Sequence, residues 1–327
     1  TVHALDLSIP RNRLTCVTGV SGSGKTTLVL ESLVPALQAS SAGEKLPDHV
    51  KSVSAPGIAR ADLIDATPIG VNVRSTVATY CGVLDDLRRA FAALPRAKEL
   101  GLKAGDFSYN TGSLRCPGCD GTGQIVLDVQ FLPDVNIVCP DCRGSRYGAD
   151  ASSVRIGGDG TGETGLPLPE LMAMTVDQAA AALADVKGRG MNKVREKLAV
   201  LSELGLGYLT LGEATPALSG GEAQRLKLAS EIGRDQSDTL FVFDEPTIGL
   251  HPLDVQVLLG VLQRLLDSGA TVLVIDHDLD MIANADYLVD MGPGGGVFGG
   301  KIVAKGTPEQ VAANPASVTG RYVKEVL

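Results

Sequence analysis

The sequence predicts an α/β fold in which a parallel sheet is covered by helices on both faces. Two continuous apolar runs of buried-strand length, 239–243 and 271–275, flank an amphipathic helix at 253–266. A third apolar run, 14–18, leads into a helical segment at 26–34 near the start of the chain. Strands that alternate with helices in this way are typical of parallel sheets.

The two parts of this lobe are separated by a segment of different composition. Residues 81–236 are rich in glycine, contain two cysteine pairs and continue as helices. We therefore expect one lobe built from 1–80 and 237–327, interrupted by a mostly helical inserted lobe at 81–236.

Within the first part, 5–9 and 14–18 have strand character and 38–49 is a polar, mixed stretch expected to be a loop. Residues 62–66 could form a further short strand before Pro68 and Gly70 interrupt it.

The turn between the strand at 14–18 and the following helix has the pattern G-x-x-x-x-G-K-[ST]. Glycines there let backbone N–H groups point at a phosphate, with the positive end of a helix behind them. A chance glycine-rich turn is the alternative, but the strand-before, helix-after context favours a nucleoside triphosphate. The predicted binding residues are Gly19, Ser21, Gly22, Gly24, Lys25, Thr26 and Thr27. Lys25 would reach the β- and γ-phosphates, and Thr26 would hold Mg²⁺.

Bulk properties exclude few classes of function. The 327 residues carry a net charge of −9, so no global basic field favours nucleic acid. No apolar run approaches the roughly 18–20 residues of a membrane span, and no signal peptide is visible. Thr at position 1 suggests that the sequence begins inside a longer polypeptide. Six cysteines are too few for a disulfide scaffold and fit a reducing cytoplasm, with Cys16 and Cys81 expected to be buried and inert.

The inserted lobe is predicted to contain helices that pack in a core, and one flexible loop. Residues 82–94 read as a helix, and 157–165, rich in Gly, Asp and Thr, read as a flexible loop. Further on, apolar residues recur every three or four positions and predict core packing only. They are Met191, Val194, Leu198, Leu201 and Leu204.

Two acids follow the apolar run at 239–243. Asp244 occupies the position at which such a strand end holds Mg²⁺, and Glu245 the position of a general base for water. A solvated strand end is the alternative, but the phosphate loop favours the functional interpretation.

Leu218-Ser219-Gly220-Gly221-Glu222 precedes an amphipathic helix at 223–232. Ser219 could cap this helix, with Glu222 completing a capping box, and the motif would then have a structural role only. The functional alternative is an anion site at the helix N-terminus formed by Ser219, Gly220 and Gly221.

These motifs together resemble the ATP-binding cassette (ABC) family. In that family the signature of one nucleotide-binding domain closes over the phosphate loop of another. The resemblance implies that Ser219, Gly220 and Gly221 serve a partner's nucleotide. It also implies that His277 contacts the γ-phosphate.

Two C-x-x-C pairs predict a structural zinc site. Cys116 and Cys119 are separated from Cys139 and Cys142 by 19 residues, a spacing typical of four-thiolate zinc. Two redox or free pairs are the alternative. Four thiolates leave no open coordination position, so the metal would not be catalytic.

A cassette with this module between phosphate loop and signature resembles the C-terminal half of the UvrA excinuclease family, the damage-sensing ATPase of nucleotide excision repair. Further motifs carry the resemblance: 67–70, 74–75, 78–80, 131–135, 218–225, 244–247, 249–251, 292–293 and 306–308. His251 stands where transporter cassettes usually have Asp. The resemblance implies an ABC-type P-loop ATPase lobe with an inserted signature lobe. It also implies ATP, Mg²⁺ and Zn²⁺ as cofactors. The implied partners are damaged DNA, a second nucleotide-binding half or a second copy in a homodimer, and a UvrB-like repair protein.

The sequence departs from that family in places. Ala66 replaces the glutamine that couples the γ-phosphate to movement of the signature lobe, and no aromatic residue precedes the phosphate loop to stack on adenine. Residues 103–155 contain five cations and six acids, so the DNA expectation comes from the resemblance and not from charge. Folding could still bring Arg115, Arg143 and Arg146 to one face. A UvrA-like drug-resistance protein and a non-hydrolysing, ATP-gated binding module remain alternatives; a transporter cassette is disfavoured.

Overall fold

The computed structural model describes residues 2–127, 135–158, 164–233 and 236–327. Motif residues 131–134, and 159–163 of the predicted flexible loop, lie outside this part of the chain. The chain divides into two compact units: Thr1–Thr67 together with Glu231–Leu327, and Pro68–Ser230.

The described residues form ten strands and thirteen α-helices. The strands are β1 Leu14–Gly19, β2 Arg60–Ile64, β3 Gln124–Leu127, β4 Val135–Val138, β5 Arg155–Ile156, β6 Leu166–Pro167, β7 Thr239–Asp244, β8 Thr271–Ile275, β9 Tyr287–Gly292 and β10 Lys301–Gly306. The α-helices are α1 Lys25–Leu28, α2 Val34–Ala42, α3 Val77–Tyr80, α4 Val83–Ala93, α5 Pro95–Glu99, α6 Leu168–Ala173, α7 Val176–Ala182, α8 Met191–Leu201, α9 Gly220–Glu231, α10 Pro252–Asp267, α11 Leu279–Ala283, α12 Pro308–Ala312 and α13 Val318–Val323. Two π-helical turns, Val29–Leu33 and Ser202–Leu206, and three 3₁₀ turns, Ala149–Ser153, Thr215–Ala217 and Gly296–Phe298, complete the described elements.

The first unit is built on a six-stranded sheet with the order β10-β9-β1-β8-β7-β2. Its strands pair in parallel except for β10, which is antiparallel to β9. All five residues of β8 are buried, as expected of a central parallel strand. The α/β fold with a parallel sheet is therefore confirmed.

Most predicted strands of this unit are confirmed, but the segment 5–9 is not a strand. Its apolar residues Leu5, Leu7 and Ile9 pack against the core while remaining partly exposed. The alternating pattern therefore reflects one-sided burial of an irregular segment and not pairing within the sheet.

The predicted loop at 38–49 begins later than expected, because α2 continues to Ala42. The helical segment after the phosphate loop passes through the π-helical turn Val29–Leu33, which ends two residues before Pro35. Proline has no N–H to donate, and a π-turn is one way for a helix to continue past this missing donor.

The second unit is largely helical, as predicted. The helix expected at 82–94 is α4, and it packs against α8. Asp86 on α4 is buried and accepts a hydrogen bond from Lys197 Nζ at 2.7 Å. The predicted apolar stripe from Met191 to Leu204 is buried throughout, so its assignment to the core is confirmed. Among the described residues, no helix has both the length and the apolarity needed to cross a membrane.

We expect the Leu273→Ala variant to have a free energy of unfolding lower by about 2–5 kcal/mol, because a fully buried leucine of β8 leaves a cavity. Leu253→Ala is the matched control: Leu253 is 72% exposed and should change stability by less than about 0.5 kcal/mol. Urea unfolding of the two variants measures the difference. Equal stability of both variants would contradict the central placement of β8.

Candidate functional site

The phosphate loop and the segments that carry Asp244 and His277 leave neighbouring strands at one edge of the sheet. Gly19 ends β1, Asp244 ends β7, and Asp276 directly follows β8, which lies between them. The strands are parallel and Asp244 is in register with Ile275, so their carboxyl ends meet. Ligands of open α/β sheets bind at this edge.

The phosphate loop has the backbone of an anion-binding turn. Gly19, Gly22 and Gly24 have positive φ values of 129°, 73° and 99°. A Cβ atom at residue 19 would lie 2.0 Å from the carbonyl oxygen of Met291, so only glycine fits there. These are the geometric requirements for turning backbone N–H groups toward one ligand.

Lys25 begins α1 and folds back over the start of the loop. Its Nζ donates to the carbonyl oxygens of Gly19, at 2.9 Å, and Val20, at 3.3 Å. Thr26 and Ser21 are exposed, and Thr27 is half-buried. The glycine-containing turn therefore carries a cationic group and hydroxyl groups, a combination that fits a polyphosphate.

Carboxylates concentrate at the ends of β2, β7 and β8. Burial raises the pKa of Asp244, and the negative charges of Glu245, Asp65 and Asp276 raise it further, against a smaller opposite effect of Lys25. Such a group gains from a nearby divalent cation, which would offset the mutual repulsion. The donor set of carboxylate and threonine oxygens suits Mg²⁺.

Asp276 is fully buried, and Thr247 is its main side-chain partner. The Thr247 hydroxyl lies 2.8 and 2.9 Å from the two carboxylate oxygens. The backbone N–H groups of His277 and Asp278 donate to the same carboxylate at 2.7 and 3.1 Å. Asp276 therefore fixes the turn that carries His277. Sequence reasoning missed both Asp276 and Thr247, although an aspartate directly after a buried strand was a usable signal.

Glu245 and His277 face one another across the sheet edge. Nδ1 of His277 lies 3.9 Å from Oε1 of Glu245, and the two side chains are 66% and 38% exposed, respectively. Glu245 has a φ of 47°, which is unusual for a residue with a side chain. Its N–H donates to Ile275 O at 2.8 Å, which anchors this conformation to β8. The pair could orient a water molecule beside the phosphate loop.

His251 has a local structural role. Its Nδ1 accepts a hydrogen bond from Leu253 N at 3.3 Å and caps α10.

The signature residues lie in the second unit, at the start of α9. Ser219 N donates to Glu222 Oε2 at 2.7 Å, and Glu222 N donates to Ser219 Oγ at 3.4 Å, which confirms the predicted capping box. Burial alone would raise the pKa of Glu222, but hydrogen bonds from Tyr208 and Ser219 outweigh it and lower the pKa. Gly220 and Gly221 form the first turn of α9, where backbone N–H groups point away from the helix.

The four predicted metal ligands converge. The sulfur atoms of Cys116, Cys119, Cys139 and Cys142 all lie within 4.8 Å of one another, and all four residues are buried. Cys116 Sγ is 4.0 Å from Cys139 Sγ, and Cys119 Sγ is 3.6 Å from Cys142 Sγ. Zinc–sulfur bonds of about 2.3 Å in a tetrahedron place sulfurs about 3.8 Å apart. The cluster therefore has the dimensions of a zinc site, and none of its cysteines forms a disulfide.

Cys119 and Cys142 lie in different electrostatic environments. Burial favours the neutral thiol of Cys119, but the N–H of Gly123 and neighbouring thiols outweigh it and lower its pKa to about 7. Burial raises the pKa of Cys142 to about 12. A bound cation would favour the thiolate form of Cys142. The isolated Cys81 is buried with a pKa raised to about 12, consistent with the expected inert thiol.

Two of the three arginines considered for DNA contact are engaged within the second unit. Arg146 is buried, stacks over the Tyr109 ring at 5.2 Å and donates to Val73 O at 3.0 Å. Arg115 pairs with Asp120 at 2.9 Å. The possibility that folding brings all three arginines to one exposed face is therefore not realised for Arg146, because its guanidinium is used in packing.

Asp120 is also held by Arg74, which donates to its backbone oxygen at 2.8 Å and lies 3.1 Å from its carboxylate. Tyr109 OH donates in turn to Arg74 O at 2.8 Å. The first cysteine pair and the segment at 73–76 are thus bound together within the second unit.

Comparisons by sequence and by structure both find UvrA proteins. No protein-family model matches the chain. It is 44% identical to UvrABC system protein A of Synechocystis over 99% of this chain and 32% of the relative. It is 45% identical to that of Bacillus subtilis over 99% of this chain and 33% of the relative. The crystal structure of UvrA2 from Deinococcus radiodurans matches with a TM-score of 0.83 and 41% identity, over 100% of this chain and 38% of that one.

The chain spans about a third of the length of the curated relatives it matches. The identity extends over nearly the whole chain and agrees with the fold, so the chain belongs to the UvrA family.

Proposed function

We propose that this chain is an ATP-binding and ATP-hydrolysing half of a UvrA-like protein that couples nucleotide turnover to recognition of damaged DNA in nucleotide excision repair. The observation that carries the proposal is the sheet edge at which the phosphate loop, Asp244, Glu245 and His277 meet. Membership of the UvrA family supports the repair context.

ATP would bind through its phosphates. Backbone N–H groups of Gly22 and Gly24 would hold phosphate oxygens, and Lys25 Nζ would leave its loop carbonyls to contact the β- and γ-phosphates. Ser21 and Thr27 would add hydroxyl donors. Mg²⁺ would be held by Thr26 and Asp244, and when bound it would neutralise charge on the phosphates.

Glu245 would act as the general base. Its carboxylate would accept a proton from water as the water oxygen attacks the γ-phosphorus and the bond to the β-phosphate oxygen breaks, releasing ADP and phosphate. His277, fixed by the Asp276 turn, would contact the γ-phosphate and keep Glu245 in position.

Ser219, Gly220 and Gly221 would serve the nucleotide of a partner, either a second nucleotide-binding half or another copy of this chain. The first turn of a twelve-residue helix is suited to an anion, because its N–H groups and the helix dipole both favour negative charge.

The four cysteines would hold a structural zinc ion. The sulfur separations and the burial of all four residues support this assignment. Contact with damaged duplex DNA and with a UvrB-like repair protein is supported by the family alone, since charge in the described part of the module does not single out a DNA face.

We expect Lys25→Ala to abolish ATP binding and hydrolysis, because the phosphates lose their only lysine contact in the loop. Glu245→Gln should retain ATP binding and lose hydrolysis by at least about a hundredfold, the scale of a general-base contribution. Equilibrium binding and single-turnover hydrolysis by the full chain, with and without added partner half, measure both.

Lys45→Ala and Glu44→Gln, at exposed positions after α2, are the matched controls and should behave as wild type. Wild-type turnover by Lys25→Ala would contradict the site assignment.

The exposed Ala66, at the position of the family's glutamine, favours the alternative of a non-hydrolysing module. That alternative would show ATP binding with no difference in hydrolysis between Glu245→Gln and wild type.

We expect the purified chain to carry one zinc ion, and Cys139→Ala to lose it, because three thiolates bind zinc far more weakly than four. Cys81→Ala is the matched control, since Cys81 is buried but outside the cluster. Elemental analysis after dialysis measures the metal. Equal zinc content in both variants would contradict the four-cysteine site.

We expect the chain, with ATP and its partner half, to bind a duplex carrying a bulky adduct more tightly than the same duplex without it. Fluorescence anisotropy at fixed salt measures the ratio of the two dissociation constants. A ratio of one, with ATP binding intact, would contradict the DNA part of the proposal and leave the ATPase part standing.

A further inference from the structure

The glycine-rich segment after β9 lies directly against the phosphate loop. Gly296 N donates to Gly22 O at 3.0 Å, and Gly300 N donates to Ser23 O at 2.9 Å. The two segments are therefore joined through their backbones, and the position of one fixes the position of the other.

Close approach requires the glycines of this segment. A Cβ atom at residue 295 would lie 2.6 Å from Ser21 O, and one at residue 299 would lie 3.0 Å from Ser23 Cα. Side chains at these positions would push the segment away from the phosphate loop.

Two large apolar side chains interrupt these glycines, and both point into solvent. Val297 is 79% exposed and Phe298 is 76% exposed. The turn that carries them is closed by hydrogen bonds from Phe298 N to Gly295 O, at 3.3 Å, and from Gly294 N to Phe298 O, at 3.4 Å. The ring of Phe298 is thus presented on a short, backbone-bonded turn beside the loop.

The other aromatic residues described in this unit are placed differently. Phe241 and Phe243 are buried within β7, Tyr287 lies half-buried in β9, and Tyr322 lies on α13. Among the described residues, Phe298 is the aromatic carried by a segment that is hydrogen-bonded to the phosphate loop.

We propose that Phe298 is the stacking surface for the base of the nucleoside triphosphate whose phosphates occupy the loop at 19–26. The inference rests on the proposed nucleotide site and adds to it the group that binds the base. An aromatic ring beside a flat heterocycle gains from stacking and from removal of both faces from water. It supplies no hydrogen-bonding group, so the gain applies to any base, and ATP and GTP should depend on Phe298 to the same degree.

Titration calorimetry of the full chain with Mg-ATP, Mg-GTP and inorganic tripolyphosphate tests the proposal. Phe298→Ala should raise the dissociation constants of both nucleotides about five- to 150-fold, the range of base–aromatic stacking, and leave tripolyphosphate binding unchanged. Phe298→Trp should restore nucleotide affinity. Tyr322→Ala, which removes another exposed aromatic side chain of the unit, is the matched control and should bind all three ligands as wild type does.

Unchanged nucleotide affinity in Phe298→Ala would overturn the proposal. An equal loss of tripolyphosphate binding would also overturn it, since the substitution would then act through the phosphate loop. Failure of the proposed function is distinct: ATP would fail to bind wild type, or Lys25→Ala would bind it equally well.

Discussion

The parallel pairing of β8 with both β1 and β7 is the constraint on which the candidate site depends. It brings the end of β1, where the phosphate loop begins, beside the ends of β8 and β7. The first of these segments is more than two hundred residues away from the other two along the chain. Because side chains alternate along a strand, a shift of one residue in the β7–β8 pairing would turn Asp244 toward the opposite face of the sheet. The register therefore determines the chemistry as well as the core.

Within that frame, the buried carboxylate of Asp276 organises the turn that holds His277. A fully buried carboxylate is costly unless it accepts several hydrogen bonds, and Asp276 accepts them from Thr247 and from two backbone N–H groups. The same bonds join the segment after β7 to the segment after β8. The spacing of Glu245 and His277 thus depends on a residue that would touch neither water nor nucleotide.

Much of this arrangement could be predicted from the sequence, because motif spacing and apolar runs are local signals. The phosphate loop, the strands at 239–243 and 271–275, and the cysteine cluster all follow from such signals. Three features did not. The segment 5–9 alternates like a strand but only packs on the core. Arg146 was considered for a surface role, yet it is buried over Tyr109. The role of Asp276 depends on its long-range partner Thr247, although its place directly after a buried strand was a usable signal. Each depends on contacts that a one-dimensional pattern does not contain.

The cysteine module shows how a small element can be fixed without a large core. Its hairpin, β3 with β4, exposes Val126 and Val138, and an isolated two-stranded hairpin has little stability in water. The two cysteine turns share a backbone pattern, with positive φ at Asp120 and Gly121 in the first and at Arg143 and Gly144 in the second. A metal ion bound by both turns would supply folding free energy that the hairpin cannot. The Arg74–Asp120 ion pair connects the first cysteine turn to the segment at 73–76, which leads into α3. The carboxylate and the backbone oxygen of Asp120, in the first turn, both hold Arg74 in place. The cysteine module therefore helps to fix the position of the segment at 73–76 and does not pack as a separate element.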